Sequence, residues 1–218
     1  MTQPSGTPTP QPAPSPSRSM PDGYFHTMYA HSDDPWGFTQ RFYERRKYAL
    51  TLAALSAERY HRVFEPGCSI GVLSAELALR SDQLVCLDLS PRATALAADR
   101  LAVYGDRVSV RTGDLVADWP DGRFDLIVLS ELLYYLDPHE VDGVVERLSD
   151  ALTPDGEVVA VHWRRKVPDY LQSGDDVHDR LIASPLHHVA GYSDADLRLD
   201  VFTVGPRPSV AQRENLVG

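Results

Sequence analysis

The apolar positions of the chain change period several times between residues 60 and 205. Short apolar runs at 63–65, 84–88, 108–112, 124–129 and 157–161 are too brief for helices and rich in Val, Leu and Ile, so they predict buried strands. The stretches that follow the first, second and fourth runs, from Gly71, Pro91 and Pro138, space their apolar residues three and four apart and predict helices. Ser90-Pro91 and Asp137-Pro138 each supply an N-cap followed by proline at the first helical position. Thr153-Pro154-Asp155-Gly156 predicts a turn that closes the helix begun at Pro138. Strand and helix in alternation specify a parallel sheet with crossover helices.

Both flanks read differently. Phe42, Tyr43, Ala49, Leu52, Ala53 and Leu55 recur at helical spacing and predict an N-terminal helix from Phe38 to about Ser56, with Arg41, Arg45 and Arg46 interspersed. Beyond Trp163 a short helix near Asp175 to Ile182 precedes two strand-like runs, 187–192 and 197–204, which fit a closing hairpin. The expected fold is therefore α/β: a doubly wound, Rossmann-like sheet, mostly parallel, with a C-terminal antiparallel hairpin. Its expected divisions are a Pro-rich leader over residues 1–21, a helical segment over 22–60 that covers the ligand site, the main domain over 61–205 and a flexible tail over 206–218.

Composition narrows the function classes. At 218 residues and 43% hydrophobic, the chain suits one domain with one core. Residues 1–21 hold seven of the 17 prolines among Ser, Thr, Gln and Gly and are expected to be disordered. A formal charge of -10 repels a phosphate backbone, so nucleic acid is not an expected partner. Two cysteines, no apolar leader and no run approaching a membrane span give the expectation of a cytoplasmic protein without a disulfide scaffold.

The chemistry concentrates at strand ends, where open α/β sheets bind their ligands. The first strand runs into Glu65-Pro66-Gly67-Cys68-Ser69-Ile70-Gly71, a G-x-x-x-G turn after an acidic residue. A pyrophosphate-binding dinucleotide fingerprint needs G-x-G-x-x-G, so this turn favours a ligand without pyrophosphate. Asp88 ends the second strand 21 residues after Gly67, where a carboxylate accepts from both ribose hydroxyls of an adenosine, with Leu89 beside it. Asp114 and Leu115 follow the third strand, placed for an adenine amine and ring. Ser130 and Glu131 follow the fourth, and Glu131 there stands equally at the start of an expected helix over Leu132–Leu136.

Taken in order, the acidic turn, Asp88, Asp114 and Ser130-Glu131 resemble the cofactor motifs of class I S-adenosylmethionine-dependent methyltransferases over roughly residues 60–205. Ser69 stands where many members have glycine. Asp34-Pro35-Trp36-Gly37-Phe38, Tyr43-Glu44-Arg45-Arg46-Lys47-Tyr48, the 65–73 turn, His162-Trp163-Arg164 and Gly174-Asp175-Asp176-Val177-His178 together look like the nodulation protein S-like methyltransferases. That resemblance implies S-adenosyl-L-methionine as cofactor, S-adenosyl-L-homocysteine as product, and a small-molecule or glycan amine as acceptor, since the family is associated with N-methylation of a chitooligosaccharide amine. It places Trp36 over the cofactor and Arg45 or Arg46, with Arg46 ahead, at its carboxylate, alongside Glu65, Gly67, Ser69, Gly71, Asp88, Leu89, Asp114, Leu115 and Ser130.

An amine must shed a proton before it attacks, and Glu131 or His162 could take it. Tyr134, Tyr135, Trp163 and Arg164 are the expected acceptor contacts, the tyrosines by stacking on a sugar face. Asp175, Asp176 and His178 read as a helix start, and no metal is expected. Two other readings remain: an O-methyltransferase acting on a hydroxylated metabolite, or a catalytically silent cofactor-binding regulatory subunit.

Overall fold

The computed structural model describes residues 19, 20 and 22–217. The disordered leader expected over 1–21 thus lies outside the described residues except at Ser19 and Met20. Seven strands, β1 (Tyr60–Pro66), β2 (Ser81–Asp88), β3 (Val108–Thr112), β4 (Phe124–Ser130), β5 (Leu152–Trp163), β6 (His187–Ser193) and β7 (Leu197–Thr203), form one sheet in the order β3-β2-β1-β4-β5-β7-β6. Pairing is parallel from β3 to β5, and β7 runs antiparallel to both β5 and β6. This is the class I methyltransferase sheet with the C-terminal hairpin that the sequence predicts. The chain winds outward from β1 to β3 and then returns to place β4 on the other side of β1, which opens a crevice at the strand carboxyl ends.

Helices α3 (Val72–Leu79), α4 (Pro91–Leu101), α5 (Pro138–Ala151) and α6 (Gly174–Ala183) cover the sheet, and α1 (Asp22–His31) and α2 (Phe42–Ala54) precede it. Successive strand residues serve opposite faces. Phe64, Ile127 and Leu129 pack with Val141, Val144 and Leu148 of α5 and Leu181 of α6. Val63, Leu126 and Val128 pack with Leu73 and Leu77 of α3 and Ala97 and Leu101 of α4. Strands covered on both faces need continuous apolar runs, which explains the sequence pattern. The predicted caps form: the Ser90 hydroxyl accepts from Ala93 N–H, and Asp137 closes a capping box with Glu140.

Four local features differ from expectation. Helix α1 carries no clear apolar stripe and was expected only as part of the helical segment over 22–60, with no bounds of its own. Helix α2 starts at Phe42 rather than Phe38, because the Asp34 carboxylate takes the N–H groups of Phe38 and Thr39 in a turn of its own. The turn expected at 153–156 is a bulge within β5, whose pairing with β4 jumps from Phe124–Leu152 to Leu126–Glu157. The helix expected over 132–136 is a single 3-10 turn, Leu133–Tyr135, preceded by Glu131 at φ 53. Past β7, a short helix α7 (Val210–Arg213) closes the described chain, and Arg207 pairs with the buried Glu157.

Candidate active site

A cavity of about 1010 Å³ opens at the carboxyl ends of β1, β2, β4 and β5. That volume matches the upper end of small-molecule sites, roughly 300–1,000 Å³, and leaves room for two ligands side by side. Among the described residues, seven acidic side chains line it (Glu44, Glu65, Asp88, Asp114, Glu131, Glu140 and Asp196) against two cationic ones, Arg41 and Lys47.

One end is built by the turn after β1. Gly67 and Gly71 have φ of 71 and 76, a region that side chains disfavour. A Cβ on Gly71 would also press on the backbone of Ala97 at 3.2 Å. Ser69 holds a φ of 50, which is why glycine suits that position, and its hydroxyl is fixed by the Tyr29 phenol of α1 at 2.5 Å. Asp88 ties the turn to β2: one carboxylate oxygen accepts from Ser69 N–H at 2.8 Å, the other from Ser90 N–H at 2.9 Å. Burial raises its pKa, an effect those two bonds partly offset. Asp114 takes the N–H groups of Val116 and Ala117 on a single oxygen, leaving its second free of bonds among the described residues. Leu89 and Leu115 lie beside these carboxylates on the wall. Glu65 is almost fully buried, and burial pushes its carboxyl up to about 8.

The other end is organised around Glu131. One of its oxygens accepts from Tyr43 O–H at 3.2 Å and Lys47 Nζ at 3.1 Å; the other accepts from Tyr134 O–H at 2.5 Å and Trp163 N–H at 2.8 Å. Lys47 is only 1% exposed, also pairs with Glu44 at 2.7 Å, and lies over the rings of Phe38, Tyr43 and Tyr48. The positive φ of Glu131 is thus held by four partners from three parts of the chain, the kind of strain that clusters at functional sites. Leu132, next in sequence, lies against Gly67, so the two ends of the cavity touch.

Most residues singled out from the sequence meet in this cavity: Trp36, Glu65, Gly67, Ser69, Asp88, Leu89, Asp114, Leu115, Ser130, Glu131, Tyr134, Tyr135 and Trp163 all line it, and Gly71 closes the turn. Three do not. Arg46 points away and binds Asp194 at 2.7 Å and the Tyr192 phenol at 2.7 Å, so the arginine at the cavity is Arg41. Arg164 is held by Asp175 and the Asp194 carbonyl, clamping the loop after β5 to the hairpin. His162 is fully buried; its Nε2 accepts from Leu133 N–H at 3.3 Å, and its Nδ1 donates to His178 Nε2 at 3.1 Å. Burial and the neighbouring His178 hold it neutral, well below the usual imidazole range. It therefore fixes the turn that carries Tyr134 and does not line the cavity. Tyr134 and Tyr135 offer hydroxyls rather than ring faces, since Tyr134 stacks on Tyr170 with centroids 4.8 Å apart and Tyr135 meets Tyr170 edge-on.

Tyr29, Tyr43, Lys47 and Tyr170 were not foreseen as site residues. Tyr29, Tyr43 and Lys47 read as ordinary amphipathic pattern, and only the opening of α1 and α2 onto the strand ends reveals them, while Tyr170 sits in the irregular loop between β5 and α6, where no periodicity marks it.

Comparison with known proteins agrees with this geometry. Residues 27–170 match the family model described as nodulation protein S (NodS). Nodulation protein S of Rhizobium tropici is 31% identical over 130 residues, 59% of this chain and 54% of that protein, and its Sinorhizobium fredii counterpart is 29% identical over 59% of this chain and 60% of its own length. The chain thus spans about 60% of the length of the curated relatives it matches. A crystal structure of a candidate methyltransferase from Pseudomonas syringae is 44% identical, with 75% of this chain and 99% of that one covered at a TM-score of 0.66. The N-methyltransferase NodS from Bradyrhizobium japonicum WM9, solved with S-adenosyl-L-homocysteine, shares the fold at a TM-score of 0.74 and 24% identity over 83% of this chain and 96% of that one. With well over half of its length inside the family model, and with the turn, the strand-end carboxylates and the sheet order in place, the chain belongs to the nodulation protein S family.

Proposed function

We propose that the protein is an S-adenosyl-L-methionine-dependent methyltransferase acting on a small-molecule amine, with amino sugars and their oligosaccharides as the leading acceptors. The observation that supports it best is the charge of the cavity: besides the mostly protonated Glu65, six acidic side chains line it against two cations. Such a field attracts a sulfonium cofactor and an ammonium-bearing acceptor and repels carboxylate or phosphate acceptors.

The residues present fit the cofactor. Each Asp88 oxygen spends one lone pair on a backbone N–H and keeps another for ribose hydroxyls. The free oxygen of Asp114 suits an adenine amine, Leu89 and Leu115 suit the ring, and Glu65 suits the amino group of the methionyl end. Gly67 lets the chain pass closely, because a Cβ there would stand 3.0 Å from Leu132. When bound, the cofactor supplies a methyl group whose sulfonium leaving group is already activated, so alignment dominates catalysis. Tyr43, Lys47, Glu131, Tyr134 and Trp163 form a hydrogen-bonded wall that fixes the acceptor. Glu131, filled by four donors, serves this wall as an ionic anchor rather than as the base; the amine proton leaves to solvent.

Transfer of labelled methyl to glucosamine and chitosan oligomers, set beside phenols, sugars without amines and carboxylic acids, tests the reading. Transfer confined to amines is expected. Transfer confined to hydroxyls or carboxylates would sink it.

A further inference from the structure

The phenols of Tyr43 and Tyr134 each have one proton, and both protons are committed to Glu131. Burial and the adjacent Glu131 charge hold both phenols above their ordinary range, so they stay protonated at any working pH. Lys47 and Trp163 N–H fill the remaining positions on the carboxylate, so Glu131 cannot rotate to release either phenol without leaving a buried donor unpaired. A hydroxyl whose proton is so engaged offers only lone pairs. Both residues line the cavity next to the Leu132–Gly67 contact, where its two ends meet.

We propose that Tyr43 and Tyr134 orient the acceptor: their phenol oxygens, made acceptor-only by Glu131, receive the N–H bonds of the incoming amine and select acceptors that carry them. This rests on the amine reading above and deepens it. A free phenol would donate into the amine lone pair and block it, whereas these two leave that lone pair unengaged. Two acceptor oxygens suit a primary amine best and a secondary amine less well. An amine without N–H has nothing to offer them, so the pair favours an early stop to successive methylation.

The test does not require the natural acceptor. Analogues of S-adenosyl-L-homocysteine with nitrogen in place of sulfur can carry a 2-aminoethyl, a 2-(trimethylammonio)ethyl or a propyl arm into the acceptor end. Affinity of each, divided by that of S-adenosyl-L-homocysteine, is measured by calorimetry in wild type, Tyr43→Phe, Tyr134→Phe and the double variant. In wild type the aminoethyl arm should exceed both others by about tenfold, the worth of one charge-assisted hydrogen bond. The advantage should shrink in each single variant and fall to within about twofold in the double. A purely structural role would weaken all the arms alike and leave their ratios intact, which overturns the proposal. Equal affinity for the aminoethyl and trimethylammonio arms overturns it too, since charge alone would then explain binding. Should the double variant fail to fold by circular dichroism, the half-buried Tyr43 is read singly, and an unchanged ratio there counts against the proposal. Absence of S-adenosyl-L-homocysteine binding in wild type would instead bring down the cofactor reading itself, and this inference with it.

Discussion

Lys47 and Glu131 meet at 3.1 Å across 84 residues of sequence, with the lysine side chain 1% exposed. Lys47 also holds Glu44 at 2.7 Å, so one cation separates two carboxylates inside the cavity wall. Removing it leaves both uncompensated. Lys47→Met is expected to destabilise the protein by about 3 kcal/mol, the usual cost of breaking a buried pair. Urea unfolding at neutral pH measures this, and a loss below about 1 kcal/mol would show that water screens the pair.

Asp88 is expected to dominate cofactor affinity. Asp88→Asn keeps an oxygen for one backbone N–H but loses the charge that strengthens the ribose bonds. S-Adenosyl-L-homocysteine should bind the variant about tenfold to a hundredfold more weakly by isothermal titration. Unchanged affinity would place the ribose elsewhere.

Glu65 is expected to make cofactor binding sensitive to pH. Burial raises its carboxyl to about 8, so at neutral pH it is mostly protonated in the free protein. A cationic ligand favours the ionised form, so binding releases a proton, and affinity should climb as pH rises from about 6 to 8 and level off above. Calorimetry in buffers of different ionisation enthalpy reads that proton directly. Glu65→Gln should abolish the release; release that persists in the variant would point to another group.

Acid should unfold the protein through its buried imidazoles. His162 and His178 both have pKa values lowered mainly by burial, so on unfolding each regains its ordinary value and takes up a proton. Stability from this source is complete above about pH 6.5 and falls below it, by about 1.4 kcal/mol per pH unit for each histidine, until the folded pKa is reached. Urea unfolding at pH 5.5 and 7.5 gives the slope. His162→Gln, which keeps an acceptor for Leu133 N–H, should reduce it; an unaltered slope would assign the effect to other groups.

The sequence by itself determined the sheet and the end of the cavity built by the turn after β1. Strands buried on both faces demand apolar runs, crossover helices demand a 3.6-residue period, and caps such as Ser90-Pro91 mark where one becomes the other. Gly67, Gly71, Asp88 and Asp114 were legible for the same reason: each sits at a strand end, where local sequence fixes both backbone and position. The end organised around Glu131 was decided only by tertiary structure. Tyr43 and Lys47 come from α2, Glu131 and Tyr134 from the turn after β4, and Trp163 from β5, and no local spacing relates them. His162 shows the same limit from the other side. Its place at the end of β5 was readable, but whether its ring faced the cavity or the core depended on the packing of α6, which brings His178 against it and closes it off from ligand.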